Sequence, residues 1–312
     1  MEQNQLLVTS SPHLHARQDT KQAMLEVLLA LAPAATLAVF FFGVRALLLM
    51  VVSIAAALAT EALIQKLTGQ KVTISDYSAI VTGLLLAFNV PATLPLWLMA
   101  IGAVLAIGLG KQVFGGLGHN PFNPALISRA ILLASWPAQM TAWVTPFTMV
   151  TSATPLQMAQ MGGEKVAWSS LLLGPVGGSL GETSALALIA GGLYLLWRGI
   201  IDWRIPAGFL GTVAVFTWVA GGEGLFGGDP VFHLLAGGLM LGAFFMATDW
   251  VTSPVTKTGR LIMGIGCGLI TSIIRLWGGY PEGVSYSILL MNAVTPLIDR
   301  YTQPRKFGGA TK

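Results

Sequence analysis

Two acidic residues lie in a part of the chain that is otherwise as apolar as the core of a membrane. They are Asp249 and Asp299, and the oxygen-bearing side chains of Thr248 and Thr252 flank the first of them. A charged side chain at membrane depth is costly, so by default it indicates a path for an ion or a proton. Carboxylate and hydroxyl oxygens suit either cargo, and we predict ion uptake at these acids.

A third acid, Asp76, is assigned to the same path, because each of the three lies near the cytoplasmic end of a predicted helix. The alternative is that the three acids are interface residues, each paired with a nearby cation. The candidate cations are Lys71, Lys257 and Arg300.

A run of hydroxyl residues, Thr151-Ser152-Ala153-Thr154, is followed by Pro155. A residue before proline is driven into extended backbone, and we expect the Thr154 hydroxyl to be available to solvent. The run lies in a connection of about 40 residues, 141–182, whereas the other connections are short. Loops of that length are usually functional or disordered. The alternative is a small polar turn without a function.

A second polar cluster, Gly177-Gly178-Ser179-Leu180-Gly181-Glu182-Thr183-Ser184, opens the sixth apolar segment. Glycines at a helix N-terminus can receive a phosphate group. Glu182 can equally be an ordinary first-turn acid or cap partner.

The composition indicates an integral membrane protein. The chain is 54% hydrophobic and only 10% charged, whereas a soluble domain carries about 25% charged residues. A membrane-spanning helix needs roughly 20 mostly apolar residues. We predict an all-α fold with ten spans, at about 23–43, 45–66, 77–90, 94–113, 123–140, 183–199, 203–221, 231–248, 260–277 and 284–300.

The distribution of Lys and Arg predicts the orientation of these spans. With the N-terminus inside, 13 of the 17 basic residues fall in cytoplasmic segments. Only Arg45, Lys165 and Arg275 fall outside, and Arg129 lies within a span. We therefore expect both termini to be cytoplasmic and the connection 141–182 to face the other side. The pI near 9.3 follows from this bias, so nucleic-acid binding is not needed to explain it.

The third and eighth spans resemble each other, which indicates an internal repeat. The run 83–93 parallels 238–248, and a basic residue followed by a glycine pair comes after each. We predict five-span repeats at 23–140 and 183–301, with cytoplasmic segments at 1–22 and 302–312. Since five is odd, the copies would have inverted topology, as in many transporters.

The third span is also short. Its apolar run from Ala79 to Phe88 would be about 15 Å long as a helix, or half a bilayer. Prolines and polar residues then interrupt it, as they do around Pro254 in the eighth span. We predict broken helices in both spans, with unpaired backbone groups that can hold ions. The alternative is that the prolines only mark loop ends.

Several motifs together resemble one family over residues 20–308: the hydroxyl run ending at Thr154, the 181–185 motif, the two C-terminal acids, and Gly116-Leu117-Gly118-His119-Asn120-Pro121-Phe122-Asn123-Pro124. The chain is similar to the D subunit of the Rnf ion-translocating ferredoxin:NAD oxidoreductase and to its relative, the B subunit of the sodium-pumping NADH:quinone reductase. The resemblance implies a redox-driven ion pump subunit in the bacterial inner membrane.

The resemblance also implies an FMN esterified through its phosphate to Thr154, with Thr151, Ser152, Gly181, Glu182 and Thr183 around it. The family motif for attachment is Asp-x-x-Ser-Gly-Ala-Thr. In this chain Thr148 stands in place of the Asp, and Thr151 and Ser152 replace Ser and Gly, while the final Ala-Thr is kept.

A second, non-covalent flavin, riboflavin, is implied at Asn120 and Asn123, whose amides can pair with an isoalloxazine edge. The alternative for Asn123 is a helix cap, with Pro124 at the first helical position. Arg129 is assigned to the same site, where it would counter a flavin's negative charge; otherwise it snorkels to the cytoplasmic edge.

Partners are implied as well: a flavin transferase, the iron–sulfur subunits and the flavin-bearing G-type subunit of the complex. This chain has a single cysteine, Cys267, so it cannot supply an iron–sulfur ligand set. We expect no metal site and no haem. The rival interpretation is a flavin-free channel or secondary transporter, which the repeat alone would support equally well.

Overall fold

The computed structural model describes residues 19–163, 166–222, 224–280 and 282–304, and this part of the chain is predominantly helical. The helices are α1 (Thr20–Phe42), α2 (Val44–Leu67), α3 (Ser78–Phe88), α4 (Leu96–Gly108), α5 (Pro124–Ser135), α6 (Pro137–Met140), α7 (Pro155–Gln160), α8 (Trp168–Leu173), α9 (Ala185–Trp197), α10 (Arg204–Ala220), α11 (Pro230–Leu235), α12 (Leu239–Leu241), α13 (Lys257–Trp277) and α14 (Val284–Thr302). The only β pairing among the described residues is three isolated bridges.

Several sequence predictions fall on residues outside the described ranges. They concern most of the cytoplasmic segment 1–22, most of the tail 302–312, and the basic residue Lys165.

Four helical segments of the described chain are long and apolar enough to cross a membrane. They are Thr20–Phe42, Val44–Leu67, Leu96–Phe114 and Lys257–Trp277, with a mean hydropathy between 1.5 and 2.3. Helix is also present in each of the other six segments that the sequence predicts to be spans. The all-helical membrane class is therefore confirmed.

The third apolar segment is a half-length helix. Helix α3 has 11 residues and ends at Phe88, and the chain is not helical again until Leu96. The eighth segment is interrupted as well: α11 ends at Leu235, and α12 continues into a π-helical turn, Gly242–Met246, that leads to Asp249. The predicted break after the third segment is present. The eighth segment is interrupted at 236–238, upstream of the predicted position, and the non-helical stretch around Pro254 is the connection to α13, as the loop-end alternative predicts.

Close helix packing depends on small residues, as in other membrane bundles. Helix α2 packs on α3 and α4, and α10 packs on α13. A β-carbon at Gly264 of α13 would lie 2.5 Å from the Ile205 carbonyl oxygen, so only glycine allows that approach. On the other side of the bundle, α1 packs on α9, where Glu26 pairs with Arg198 and accepts a hydrogen bond from Tyr194.

Candidate functional site

The hydroxyl run follows a small hairpin on the predicted extracytoplasmic side. Val144 bridges to Thr151, and the Ser152 amide donates to the Trp143 carbonyl at 3.1 Å. The Phe147 amide donates to the carbonyl of Phe41 at the end of α1, and the two rings pack edge to face with centroids 5.5 Å apart. The hairpin is therefore anchored to the first helix.

Thr154 is the N-cap of helix α7. Its backbone is extended, at φ −69° and ψ 156°, as the following proline predicts. The side-chain oxygen accepts a hydrogen bond from the Gln157 amide at 3.2 Å, and Gln157 Oε1 accepts one from the Thr154 amide at 3.1 Å. These reciprocal bonds form a capping box, which fixes the side chain on its own helix.

The prediction that the Thr154 hydroxyl is available to solvent is wrong. The residue is buried, with 3% of its surface exposed, while Thr151 in the same loop is exposed. The physical reason is that the capping box turns the Thr154 side chain inward, onto the first turn of its own helix. Thr151 has no such helix to cap.

Two glycine pairs bring Glu182 close to the loop that carries Thr154. A β-carbon at Gly177 would lie 2.5 Å from Ser152 Oγ, and one at Gly178 would lie 3.5 Å from Glu182 Oε2. From the other side, a β-carbon at Gly238 would lie 2.8 Å from Glu182 Oε1. The same glycine-rich break in the eighth segment contacts α7, because Leu156 approaches Gly237.

Glu182 is not the cap of the sixth segment, which corrects one of its two interpretations. Helix α9 begins at Ala185, and the Ser184 hydroxyl caps it by accepting from the Ala187 amide at 3.4 Å. The carboxylate of Glu182 instead points toward Arg129. Thr183 is also buried, and its hydroxyl donates to the Leu180 carbonyl at 3.4 Å.

Arg129 is held inside the protein. It is 7% exposed, pairs with Glu282, and donates to Asn89 Oδ1 at 3.2 Å. The snorkelling alternative is therefore wrong: a carboxylate 153 positions away in the sequence satisfies the guanidinium inside the protein. Arg129 and Glu282 are far apart in the sequence, and no local spacing indicates that they form a pair.

Backbone groups of the cluster 177–184 fill the break after α3. The Gly181 amide donates to the Phe88 carbonyl at 2.9 Å, and the Leu180 amide donates to the Val90 carbonyl at 3.1 Å. These two carbonyls are therefore satisfied by protein. The prediction of unpaired backbone groups at this break is therefore wrong for these two carbonyls.

Gly181 is the tightest point of this contact. A β-carbon there would lie 2.4 Å from the β-carbon of Phe88, a backbone-linked atom with little freedom to move. We expect Gly181→Ala to destabilise the protein by about 1–3 kcal/mol through overpacking, measured as a lower melting temperature. In Gly178→Ala the new methyl group would meet its nearest atom at an ordinary 3.5 Å, so this variant is the matched control. Equal melting temperatures for both would contradict the prediction.

A cavity of about 360 Å³ lies on the predicted cytoplasmic side, among α1, α3, α5 and the π-helical turn. Its lining is mainly apolar and includes Asn120, Asn123, Thr248 and Asp249. The structure therefore brings together the two predicted flavin-binding amides and one predicted ion-path acid. Arg129 is not among the lining residues.

Asn123 is the helix cap that its sequence context predicts. Its Oδ1 accepts from the amides of Ala125 and Leu126 at 3.1 and 3.3 Å, and its Nδ2 donates to the Met246 carbonyl at 3.4 Å. Asn120 is buried and donates to the Phe122 carbonyl at 3.1 Å. With its Oδ1 used for capping, Asn123 has little capacity left for a ligand.

The three predicted ion-path acids are held by neutral donors. Asp249 accepts from Thr252 Oγ1 at 3.2 Å, Asp299 accepts from the Val255 amide at 3.0 Å, and Asp76 accepts from the Ser78 amide at 2.8 Å. None of the ion pairs between described residues joins them to Lys71, Lys257 or Arg300. The described side chains therefore do not support the alternative that these acids are paired with nearby cations.

A buried pair that the sequence analysis missed lies beside this cavity. Lys111 Nζ is 2.7 Å from Glu61 Oε1, with side-chain exposures of 2% and 1%. Lys111 also donates to Ser78 Oγ, and Ser78 Oγ donates to Asp76 Oδ1, both at 2.6 Å. The signal in the sequence was a charge within each of two apolar runs, which is the same kind of signal that the C-terminal acids give.

Long apolar helices, interrupted segments and buried charged side chains define a multi-pass α-helical membrane protein that carries polar groups into its interior. The chain belongs to the NQR2, RnfD, RnfE family, whose model matches residues 7–308.

Named relatives cover almost the whole chain. It is 52% identical to the D subunit of the Na⁺-translocating ferredoxin:NAD⁺ oxidoreductase complex of Acetobacterium woodii, over 99% of this chain and 97% of the relative. It is 48% identical to the D subunit of the proton-translocating ferredoxin:NAD⁺ oxidoreductase complex of Clostridium ljungdahlii, over 99% and 98%. It is 39% identical to the D subunit of an ion-translocating oxidoreductase complex of Escherichia coli, over 96% and 98%.

Proposed function

We propose that this chain is a membrane subunit of an ion-pumping ferredoxin:NAD oxidoreductase complex. The observation that carries the proposal is the 52% identity to such a subunit over 99% of the chain. Two relatives of similar identity are named for different ions, Na⁺ and H⁺, so the transported ion is a separate question.

We further propose that Thr154 carries FMN through a phosphoester bond. The Ala153-Thr154 end of the attachment motif is present, and Thr154 Oγ1 is fixed at the N-cap of α7. Ser152 Oγ, two positions before it in the chain, is a buried hydroxyl oxygen with no hydrogen-bond partner among the described residues. An orphaned polar atom so close to the attachment point fits a polar group that it would hold. When bound, the flavin supplies the electron-carrying chemistry.

Riboflavin is proposed for the cytoplasmic cavity. Its volume of about 360 Å³ lies within the range of small-molecule pockets, and the lining is apolar with few polar groups. Asn120 is the side chain best placed to contact an isoalloxazine edge, because Asn123 already caps α5. Arg129 is committed to Glu282, so the structure gives it no direct part in this site.

The ion path is proposed at Asp249, Asp299 and Asp76, in a ten-span scaffold of two inverted repeats. The packing of α2 on α4 in the first half and α10 on α13 in the second supports the repeat, because these are corresponding spans. Both termini would be cytoplasmic, and the Thr154 loop would face outward. The complex would lie in the bacterial inner membrane with its iron–sulfur subunits and the G-type flavin subunit, and a flavin transferase would mature the chain.

The energetics permit coupling. Moving one charge against about 150 mV costs roughly 3.5 kcal/mol. A two-electron couple supplies about 1.4 kcal/mol per 30 mV, so a potential drop of about 75 mV suffices for each ion.

The proposed attachment is tested by peptide mass spectrometry of the purified complex. Trypsin cleaves after Arg129 and Lys165, so residues 130–165 form one peptide that contains the entire hydroxyl run. The expected result is an FMN adduct on this peptide that fragmentation places at Thr154. A bare peptide in a complex of native composition would favour the flavin-free transporter.

For the ion path, we expect Asp249→Asn to slow ion transport at least tenfold, which corresponds to about 1.4 kcal/mol. The amide keeps the shape of the side chain but removes the charge that attracts a cation. The measurement is ion uptake into vesicles that contain the complex, with flavin content as the check on assembly. Asp19→Asn, at an exposed position, is the control. Unchanged uptake in Asp249→Asn would exclude this acid from the path.

A further inference from the structure

Four charged side chains from separate parts of the fold meet below the loop that carries Thr154. Arg129 is on α5, Glu182 precedes α9, Arg275 is near the end of α13, and Glu282 precedes α14. The structure places Arg129 between the two carboxylates, in contact with Glu282 and 3.9 Å from Glu182 Oε1. The two arginines and Glu182 are each less than 9% exposed.

Arg129 is already fully engaged on one side of this cluster. It pairs with Glu282 and donates to Ser285 Oγ at 2.5 Å and to Asn89 Oδ1 at 3.2 Å. Its distance of 3.9 Å to Glu182 Oε1 is too long for a hydrogen bond. Arg129 therefore lies between the two carboxylates but pairs at hydrogen-bond distance with only one of them, Glu282.

Arg275 does not neutralise Glu182 directly either. Its guanidinium donates to two backbone carbonyls, those of His233 at 2.5 Å and Ala236 at 3.0 Å. Glu182 Oε1 has no hydrogen-bond partner among the described residues, and the side chain is 3% exposed. Its one ion pair among the described residues is the 3.9 Å approach of Arg129.

A carboxylate in that position is stabilised most simply by binding a proton, because an isolated charge in a buried site is costly. Burial raises the pKa of Glu182 to about 7; the negative charge of Glu282 adds to this effect, while Arg129 and the side chain and backbone of Ser179 oppose it. Tyr286 on α14 also acts on Arg129 electrostatically, and the ring of Tyr280 lies beside Tyr286 with centroids 6.2 Å apart.

We propose that Glu182 is a buried, reversible proton-binding site, occupied while Arg129 pairs with Glu282 and emptied when Arg129 moves across to pair with Glu182. The guanidinium needs to shorten a gap of only 3.9 Å to a hydrogen-bond distance to make this exchange. The site lies next to the loop that carries Thr154: a β-carbon at Gly177 would lie 2.5 Å from Ser152 Oγ, and one at the adjacent Gly178 would lie 3.5 Å from Glu182 Oε2. Its proton therefore changes the charge beside that loop, whichever ion the complex transports.

The test is infrared difference spectroscopy of the purified complex, from about pH 5 to about pH 9, comparing wild type with Glu182→Gln. The expected result is a carboxylic acid C=O band that titrates near neutral pH in the wild type and is lost in Glu182→Gln. In Glu282→Gln, Arg129 is free to pair with Glu182. We expect the titration midpoint of the Glu182 band in this variant to fall by about one pH unit or more, a tenfold loss of proton affinity.

Two results would overturn the proposal. One is a spectrum in which Glu182→Gln removes no band. The other is a band whose midpoint moves with sodium concentration at fixed pH, because that behaviour identifies a metal cation as the ligand. The same measurement on Thr154→Ala, which would lack the tethered flavin, is expected to retain the band. Failure of the flavin assignment and failure of the proton site are therefore distinguishable.

Discussion

Replacing Thr154 by alanine is expected to abolish the covalent flavin that we propose for this chain. The ester needs a hydroxyl oxygen, and alanine has none. Electron transfer between NADH and ferredoxin through the complex should fall by about 100-fold or more, because a redox group that is no longer held in place loses its productive geometry. The measurement is flavin fluorescence of the denatured polypeptide under ultraviolet light, together with the rate of ferredoxin-dependent NAD reduction.

The structure supplies a control that separates attachment from folding. Because Thr154 also caps α7, Thr154→Ala loses about 1 kcal/mol of helix stability. Asparagine is a good N-cap without an esterifiable hydroxyl. Thr154→Asn should therefore fold normally and show no flavin fluorescence. Thr154→Ser should be fluorescent, as should Thr151→Ala. A fluorescent band in Thr154→Asn would place the flavin on another residue.

Removing the cation of the buried cytoplasmic pair is expected to have the largest effect on stability. Lys111→Met leaves the Glu61 carboxylate facing only the neutral donors Gln112 Nε2 at 3.0 Å and Gln65 Nε2 at 3.4 Å. Glu61 Oε2 already has no hydrogen-bond partner among the described residues. Breaking a buried pair in this way costs about 3–5 kcal/mol. The loss is measured as a fall in the thermal unfolding midpoint of the detergent-solubilised protein.

A second substitution tests whether the unpaired charge is the cause. Replacing both partners by apolar residues of similar size is often nearly neutral. The double variant Lys111→Met with Glu61→Met should therefore recover most of the lost stability. Lys66→Met, at an exposed position on α2, is the control for the loss of a lysine. If Lys111→Met melts like Lys66→Met, the pair does not contribute to stability.

Local sequence features predicted the helices and the interruption of the third segment well. Asn89 and the prolines after it end α3 at Phe88, because the break depends on the backbone preferences of neighbouring residues. Asn123 caps α5 for the same reason. The closure of the break by the amides of Leu180 and Gly181 was not predictable, since those residues are about 90 positions further along the chain.

In the candidate site as well, local features were predictable and long-range contacts were not. The Thr154 backbone follows from Pro155, whereas the burial of its side chain depends on Gln157 completing a capping box. The pairing of Arg129 with Glu282 and of Lys111 with Glu61 joins positions 153 and 50 residues apart. Periodicity and composition carry no information about such partners, so each residue could be noticed but its role could not be assigned.

Residues 177–181 fill the break after α3, and this contact has a consequence for biosynthesis. Segments leave the ribosome in order, so α3 is inserted before the residues that satisfy Phe88 and Val90 exist as nascent chain. The loop that carries Thr154 lies between these two segments in the sequence. It cannot reach its final position until the later segment has contacted the earlier one. Loading of the proposed flavin would then await translation of at least the first 181 of the 312 residues, so the proposed flavin transferase would act on a chain that is already inserted in the membrane to that point.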